Sequence, residues 1–476
     1  MSTILENPKS PTEVLAELEE KAAGDRDWSD PGILTGVYVP DPQVQQLAAT
    51  AYQKFLTPNA LHLNLFPSIG EMEREIVGGL ADLLRGDKQT VGNVTSGGTE
   101  SIMLAVKTAR DLARATRPDL TDPEIVLPIT AHPAFHKAAH YLDIGVRMTP
   151  MNGDDFRADI GAFKAALGAN TILAVGSAPN YSHGTVDPIT DMAAAAQSAG
   201  VPFHVDGCVG GLYLSYLRRL GRSVPAFDFS VPGVTSISVD LHKYGYAPKN
   251  VSVVLYGSRE LRAHAWFVNT ETTEYAVINP TVQSSRTGGP VAAAWSVMRH
   301  LGHVGYEKMI TETQAAADRL IAEVDAVDGV NVLARPDMCM LTLGSDMVNI
   351  FEVDDEMRDR GWALTPQFAC GGGPENLHVA IHYGGLDQLH RFAADLQASV
   401  TALRESNSKI DLDAMAAAVR EHADKPVPQM LMHLMPLAGL TGEGLPENYA
   451  PLNSLLNLLP AKTRDEALTF YLNMTQ

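Results

Sequence analysis

Two lysines, Lys243 and Lys249, stand six residues apart in the stretch SVDLHKYGYAPKN, among His242 and the aromatics Tyr244 and Tyr246. An amine placed after an apolar run and flanked by aromatic rings is partly desolvated. Desolvation lowers an amine's pKa towards the range where it attacks a carbonyl and forms a Schiff base. Lys243, directly after TSISVD, occupies such a place; a solvated surface amine is the plainer alternative.

Ligands in open α/β sheets gather beyond the carboxyl ends of the strands. The predicted strands here are followed by Ser96-Gly97-Gly98-Thr99, His132, Ser177, Asp206 and His242-Lys243. SGGTES opens a helix, so its glycines and free N–H groups suit a phosphate, although a Gly-Gly turn can be only a turn. Asp206 closes the run VPFHV, where a carboxylate needs a cation or several donors. A protonated pyridine nitrogen is one such partner; a structural arginine or a helix cap is another. His132 follows PIT and can stack on a flat ring, or serve as an ordinary core or loop histidine. His136 and His140 share its helix without a carboxylate or cysteine set beside them, so no metal is expected. Cradle, ring stacker, acid and amine, in this order, are the parts that pyridoxal phosphate requires.

The elements that must hold these groups follow from periodicity. Helices EMEREIVGGLADLL, SIMLAVKTARDLARA and DMAAAAQSAG alternate with short apolar runs near EIVLPIT, TILAVGS, VPFHVDG, TSISVD and VSVVLYG. This alternation predicts an α/β domain with a mostly parallel sheet covered on both faces, spanning residues 61–305. Residues 1–60, with a helix from Thr12 to Ala23, read as an N-terminal arm. Helices at VAAAWSVMRHLG and from Tyr306 to Val327 lead into NVLARPDMCMLTLG and LHVAIHY, which predict a smaller α+β domain over 306–400. Residues 401–476 contain the amphipathic helix DLDAMAAAVREHA and read as a helical tail packed on the small domain.

A formal charge of −20 over 476 residues argues against a general nucleic-acid surface. Three cysteines without CxxC spacing predict neither zinc nor structural disulfides and point to a reducing cytoplasm. No window approaches the ~20 apolar residues of a membrane span, and no export signal is evident.

The runs NVTSGGTESIMLAVKTARD, AHPAFHKAAHY, SAPNYSHGTVDPI, FHVDGCVGG, SVDLHKYGYAPK and SSRTGGPVAAAW resemble the group II pyridoxal-phosphate decarboxylase family, most closely its sphingosine-1-phosphate lyase branch. The resemblance covers about residues 35 to 400 and implies fold type I of the pyridoxal-phosphate enzymes, the aspartate aminotransferase-like fold. It implies that Lys243 carries the cofactor as a Schiff base and Asp206 pairs with its ring nitrogen. It also implies that His132 and Cys208 face the ring, with Gly98, Thr99, Ser177 and His242 among the cofactor's contacts. The loop from Ser285 through Gly288 resembles one that reaches the phosphate from a second subunit, implying a homodimer with shared sites.

His62, Lys249, Tyr38 and Tyr244 sit in contexts similar to that branch's substrate-handling residues, and Tyr38 and Tyr246 in contexts suited to proton relay. Lys249 and His62 would then hold a substrate phosphate, which lets an acidic protein accept an anion. The chain departs from the branch's usual NPLHPDxFP and VDAC in reading NALHLNLFP and VDGC. The implied activity is retro-aldol cleavage of a phosphorylated long-chain base, in sphingolipid metabolism. Two alternatives stay open: an amino-acid decarboxylase of the glutamate or tyrosine type, and a dimeric scaffold that has kept the fold without catalysis.

Overall fold

The structure, a computed structural model, describes residues 4, 7–273, 275–406, 408, 410–440 and 446–475. Seven strands form the central sheet: β1 Val91–Thr95, β2 Glu124–Pro128, β3 Gly145–Thr149, β4 Thr171–Ser177, β5 Phe203–Asp206, β6 Val234–Asp240 and β7 Ser252–Tyr256. Their order is β1-β7-β6-β5-β4-β2-β3. Only β7 runs against its neighbours, so the other six point the same way. Strands β1, β4, β5 and β7 are buried along their whole length, as expected for a sheet covered on both faces. The fold class is therefore α/β with a mostly parallel sheet.

Helix Gly98–Thr116 shows why the covering helices form where they do. Ile102, Leu104, Ala105, Val106 and Ala109 recur at helical spacing on its buried side. Glu100 fixes its start, accepting from Ser96 N and from Val282 N. The opening turn is thereby tied to a loop 182 residues further on.

After a short antiparallel hairpin, β8 Phe267–Asn269 with β9 Val277–Asn279, comes a long helical run, Gly289–Val324. The sequence reads as two helices here. The structure joins them end to end through a break at Gly302, whose φ of 51° glycine adopts without steric cost. A second, antiparallel sheet follows, in the order β10 Asn331–Val332, β11 Met340–Gly344, β13 Asn376–Ala380, β12 Thr365–Gln367.

Residues 33–39, which read as part of an arm, run as a strap along this second sheet. Leu34 N donates to Ala363 O, Ala380 N to Leu34 O and Gly384 N to Val39 O. The tail, in which one amphipathic helix is read, folds as helices Leu412–His422, Val427–Leu434, Ala450–Leu458 and Ala461–Thr475. They share a core of their own built from Met415, Met430, Leu434 and Leu455.

Candidate active site

The carboxyl ends of β1, β2, β4, β5 and β6 share one edge of the sheet, and the polar residues following them converge there. A cavity of about 270 Å³ at this edge is lined by Gly98, Thr99, His132, Cys208, His242 and Lys243, together with Asp240. Asp240 ends β6, Gly98 and Thr99 open a helix, and the others lie on the loops that follow β2, β5 and β6, where backbone N–H groups and side chains are both free to face a ligand.

Lys243 is held by Asp240, its Nζ lying 3.0 Å from Oδ2. Burial by itself would lower the amine's pKa, but the facing Asp240, helped by Asp206, reverses the direction and raises it. This corrects the expectation of a lowered pKa. Desolvation is present, yet a buried carboxylate three residues earlier outweighs it. Asp240 was missed as a site residue because its only signal is the spacing D-x-x-K. It also accepts from Ser252 Oγ at 2.6 Å and lies 3.6 Å from His242 Nε2.

Asp206 lies at the end of β5, with Oδ1 accepting from Cys208 N at 3.0 Å. Behind it His204 bridges Ser236 and Ser238, its pKa lowered to about 4 by burial, so the layer beneath Asp206 is neutral. Ser177 stands beside Asp206 in register on β4, and its Oγ is buried without a hydrogen-bond partner. The Cys208 thiol is pushed well up by burial and rests 3.2 Å from Ser238 Oγ. A Cβ at Gly207 would come 2.9 Å from the Ser238 carbonyl. Gly98 is equally constrained, since a Cβ there would come 2.8 Å from both Asp240 oxygens and 3.0 Å from Cys208 Sγ.

His132 accepts from Ala134 N through Nδ1, and burial lowers its pKa, so the ring is neutral. It meets Tyr181 edge-on at 6.4 Å, and Tyr181 in turn packs 4.5 Å from His378 of the second sheet. Tyr181, like Asp240, is a residue the sequence reading missed; its signal is only its place in APNYSHG.

The strap brings Tyr38 to the same side. Its pKa is raised by burial, against the pull of Lys243, so the hydroxyl keeps its proton. Lys249 lies 5.4 Å over the Tyr38 ring and donates to Gly36 O at 2.8 Å. Burial and the charge of Lys243 both lower its pKa.

Other predicted residues are not brought to Lys243. Tyr244 is fully buried, its hydroxyl donating to Ile381 O at 2.9 Å and its ring edge-on to Tyr38 at 4.9 Å. Tyr246 is also buried, its hydroxyl beside Thr313 and Tyr383. Tyr244 thus reaches the end of the second sheet and Tyr246 the long helix that carries Thr313, and Tyr246 itself has a left-handed φ of 56°. His62 and Ser285 are exposed. Their loops are laced together, Ala60 N donating to Arg286 O and Gly288 N to Pro58 O, both at 2.8 Å. Ser285 lines a separate cavity of about 290 Å³ that also contains Ser96. Among the described residues no cluster of histidine, cysteine and acidic side chains could hold a metal ion.

The cavity fits pyridoxal 5'-phosphate on features of its own: the glycine cradle at Gly98 and an amine beside a carboxylate. Asp206 and the unpartnered Ser177 hydroxyl stand at the neighbouring ends of β5 and β4, outside its lining.

Comparison with known proteins agrees. Residues 26–342 match the pyridoxal-dependent decarboxylase conserved domain, and residues 411–474 match a C-terminal putative HTH domain of pyridoxal-dependent enzymes. Sphingosine-1-phosphate lyase of Oryza sativa is 39% identical over 407 residues, covering 84% of this chain and 74% of the relative. A probable L-tyrosine/L-aspartate decarboxylase of Methanothermobacter thermautotrophicus is 30% identical, covering 67% of this chain and 85% of the relative. Among solved structures, sphingosine-1-phosphate lyase of Burkholderia pseudomallei superposes with a TM-score of 0.81 at 34% identity, over 90% of this chain and 98% of that one.

Proposed function

The chain belongs to the pyridoxal-dependent decarboxylase family, and on that premise we propose that it is a pyridoxal 5'-phosphate-dependent carbon–carbon lyase. Its substrate is a phosphorylated 2-amino-3-hydroxy long-chain base of the sphingosine 1-phosphate type, and its products are a fatty aldehyde and phosphoethanolamine. The observation that carries the reading is Lys249, a second ammonium set over Tyr38 on the side of Lys243. An ammonium has three donors, and only one is engaged by Gly36, which leaves two for a phosphate monoester. The likeness to sphingosine-1-phosphate lyases over more than four-fifths of the chain supports the same choice.

Lys243 would hold the cofactor covalently, with Gly98, Thr99 and His242 at its phosphate and Asp206 at its ring nitrogen. His132 and Cys208 would face the ring, and Ser177 would supply a hydroxyl. When bound, the cofactor supplies a sink for the electron pair released as the C2–C3 bond breaks. Lys249 binds and orients the substrate by its anionic end. Tyr38, kept protonated by burial, holds a proton for the carbon left after cleavage and is a donor, not a base. Tyr244 and Tyr246 act behind it as packing.

The active unit is a homodimer. In support, the laced loops of His62 and Ser285 expose Leu63 and Leu65, and the β8–β9 hairpin exposes Phe267, Val268 and Ile278. Such a concentration of apolar surface suits a partner subunit. The protein belongs in the cytoplasm, in keeping with three free cysteines of which Cys208 and Cys339 are buried. No helix among the described residues is long and apolar enough to cross a membrane.

Incubation with pyridoxal 5'-phosphate and phosphorylated amino alcohols of several chain lengths, or with amino acids, tests the reading when aldehyde and carbon dioxide are measured together. Aldehyde equal to phosphoethanolamine, and none from the unphosphorylated base, is the expected result. Carbon dioxide from an amino acid with no aldehyde would overturn it in favour of a decarboxylase.

A further inference from the structure

A third cavity, of about 230 Å³, opens where loops from the large sheet meet the β12–β13 hairpin. Its walls include Ile129, Thr130, Met151, His183, Phe368 and Asn376. Thr130 stands two residues before His132, and His183 two residues after Tyr181, so the loops that carry the reaction side also build this cavity.

Its chemistry is specific. No Asp, Glu, Lys or Arg is among the lining residues. His183 bonds Thr342 Oγ1 through Nδ1 at 2.8 Å, and burial lowers its pKa to about 4, so it too is neutral. A phosphate, carboxylate or ammonium buried here would find no counter-charge in the lining itself, the guanidinium of Arg464 being stacked 4.3 Å over the Phe368 ring. Asn376, 4% exposed, spends its amide N–H on Pro374 O, while its Oδ1 is buried without a partner. Thr130 Oγ1 is likewise buried and unpartnered. An acceptor on β13 and a hydroxyl on the turn after β2 thus lie unpaired among lining residues that include Ile129, Met151 and Phe368. Folding gains nothing from such groups, because buried polar atoms stabilise only when bonded.

We propose that this cavity binds an uncharged alkyl chain bearing a hydroxyl group, the hydroxyl donating to Asn376 Oδ1 and accepting from Thr130 Oγ1. In the reaction proposed above, and resting on that reading, the moiety of this chemistry is the alkyl half of a long-chain base with a hydroxyl beyond C3. The charged half stays with Lys249. The enzyme therefore prefers hydroxylated bases over the otherwise identical bases without that group.

Calorimetric titration of the holoprotein with hexan-1-ol, and with hexanoate as the charged control, tests the site without catalysis. Hexan-1-ol binds and hexanoate does not. Thr130→Val, which keeps the side chain's shape, weakens hexan-1-ol at least fivefold with no fall in Tm, and Asn376→Leu does the same to affinity. Equal affinity in wild type and both variants, no hexan-1-ol binding, or hexanoate binding as well as the alcohol, overturns the site. A fall in Tm of Thr130→Val with unaltered affinity shows a structural hydroxyl and overturns it too. Aldehyde release from base phosphates with and without the extra hydroxyl then tests the occupant: wild type favours the hydroxylated base and Thr130→Val loses that preference. Aldehyde from both without a preference overturns the occupant alone. Absence of aldehyde from either base overturns the proposed reaction and, with it, the occupant, while the titration still decides the site.

Discussion

Lys249 donates its ammonium to the carbonyl of Gly36 at 2.8 Å, across 213 residues of chain. This bond ties the loop after Lys243 to the strap that carries Tyr38, and the strap is itself bonded to the second sheet through Leu34 and Val39. The residue offered to the substrate's anion therefore also fixes where the proton donor stands.

Lys249→Ala removes a charge-assisted contact of about 1.5–3 kcal/mol, so KM for the phosphorylated substrate rises roughly 10- to 100-fold while cofactor binding is unchanged. Steady-state kinetics alongside the cofactor's absorbance checks both. A variant with normal KM would remove Lys249 from phosphate binding.

Tyr38 and Tyr244 touch edge-on yet differ in role. Tyr38→Phe removes the proton held for the reaction and lowers kcat by roughly 10²–10⁴-fold, the range for a general acid. Tyr244→Phe loses the bond to Ile381 O and the one accepted from Cys339 Sγ at 3.1 Å, about 1 kcal/mol of stability each, and keeps kcat within about tenfold. Kinetics and urea unfolding of the two variants together would show it; equal losses of kcat would make Tyr244 part of the relay.

Asp240→Asn breaks a buried ion pair and destabilises the cofactor-free protein by about 3–5 kcal/mol near neutrality. Its pH dependence has a definite sign. Asp240's pKa is lowered, burial notwithstanding, chiefly by Lys243. The pair's contribution is therefore present above the ordinary aspartate range and lost as pH falls through the lowered value. Lys243's pKa is raised, so its share is lost only as pH rises beyond the ordinary lysine range. Denaturant unfolding from pH 3 to 10 should show the gap between wild type and variant constant in the middle and closing at acid pH.

His183, His204 and His378 are buried neutral, each with its pKa lowered to about 4 by burial. Unfolded, they titrate near 6.5, so the unfolded chain binds more protons between those values and stability falls as pH drops from about 6.5 to 4. The loss is on the order of 3 kcal/mol per histidine. His378→Asn should shed one histidine's share of that slope in acid unfolding; an unchanged slope would contradict its burial as a neutral ring.

Filling the glycine cradle should weaken the hold on the cofactor. Gly98→Ala places a methyl against Asp240 and Cys208 and should weaken pyridoxal 5'-phosphate at least tenfold by equilibrium dialysis. Affinity equal to wild type would mean that the ligand's phosphate does not approach this turn.

Much of this protein is local and was legible without coordinates. The helix–strand alternation, the apolar runs and the polar residues that end them determine an α/β sheet with its ligand edge. Lys243, Asp206, His132 and SGGTES each sit at a strand end because the chain must turn there, and a turn is where backbone donors and side chains become free. Of the C-terminal helices only Leu412–His422 was legible, because the others are short or weakly amphipathic and their apolar side chains meet in a small separate core.

What tertiary structure alone decided is how deeply these groups are buried and which side chains they meet. Only the packed chain sets Asp240 against Lys243 firmly enough to reverse its pKa, and lays residues 33–39 along the second sheet under Lys249. It also turns Tyr244 and Tyr246 inward and leaves Thr130, on the turn after β2, and Asn376, on β13, facing one cavity. The physical reason is the same in each case: the charge, hydrogen bonding and burial of these groups are set by neighbours distant in sequence or by backbone turns that residue type and spacing do not encode.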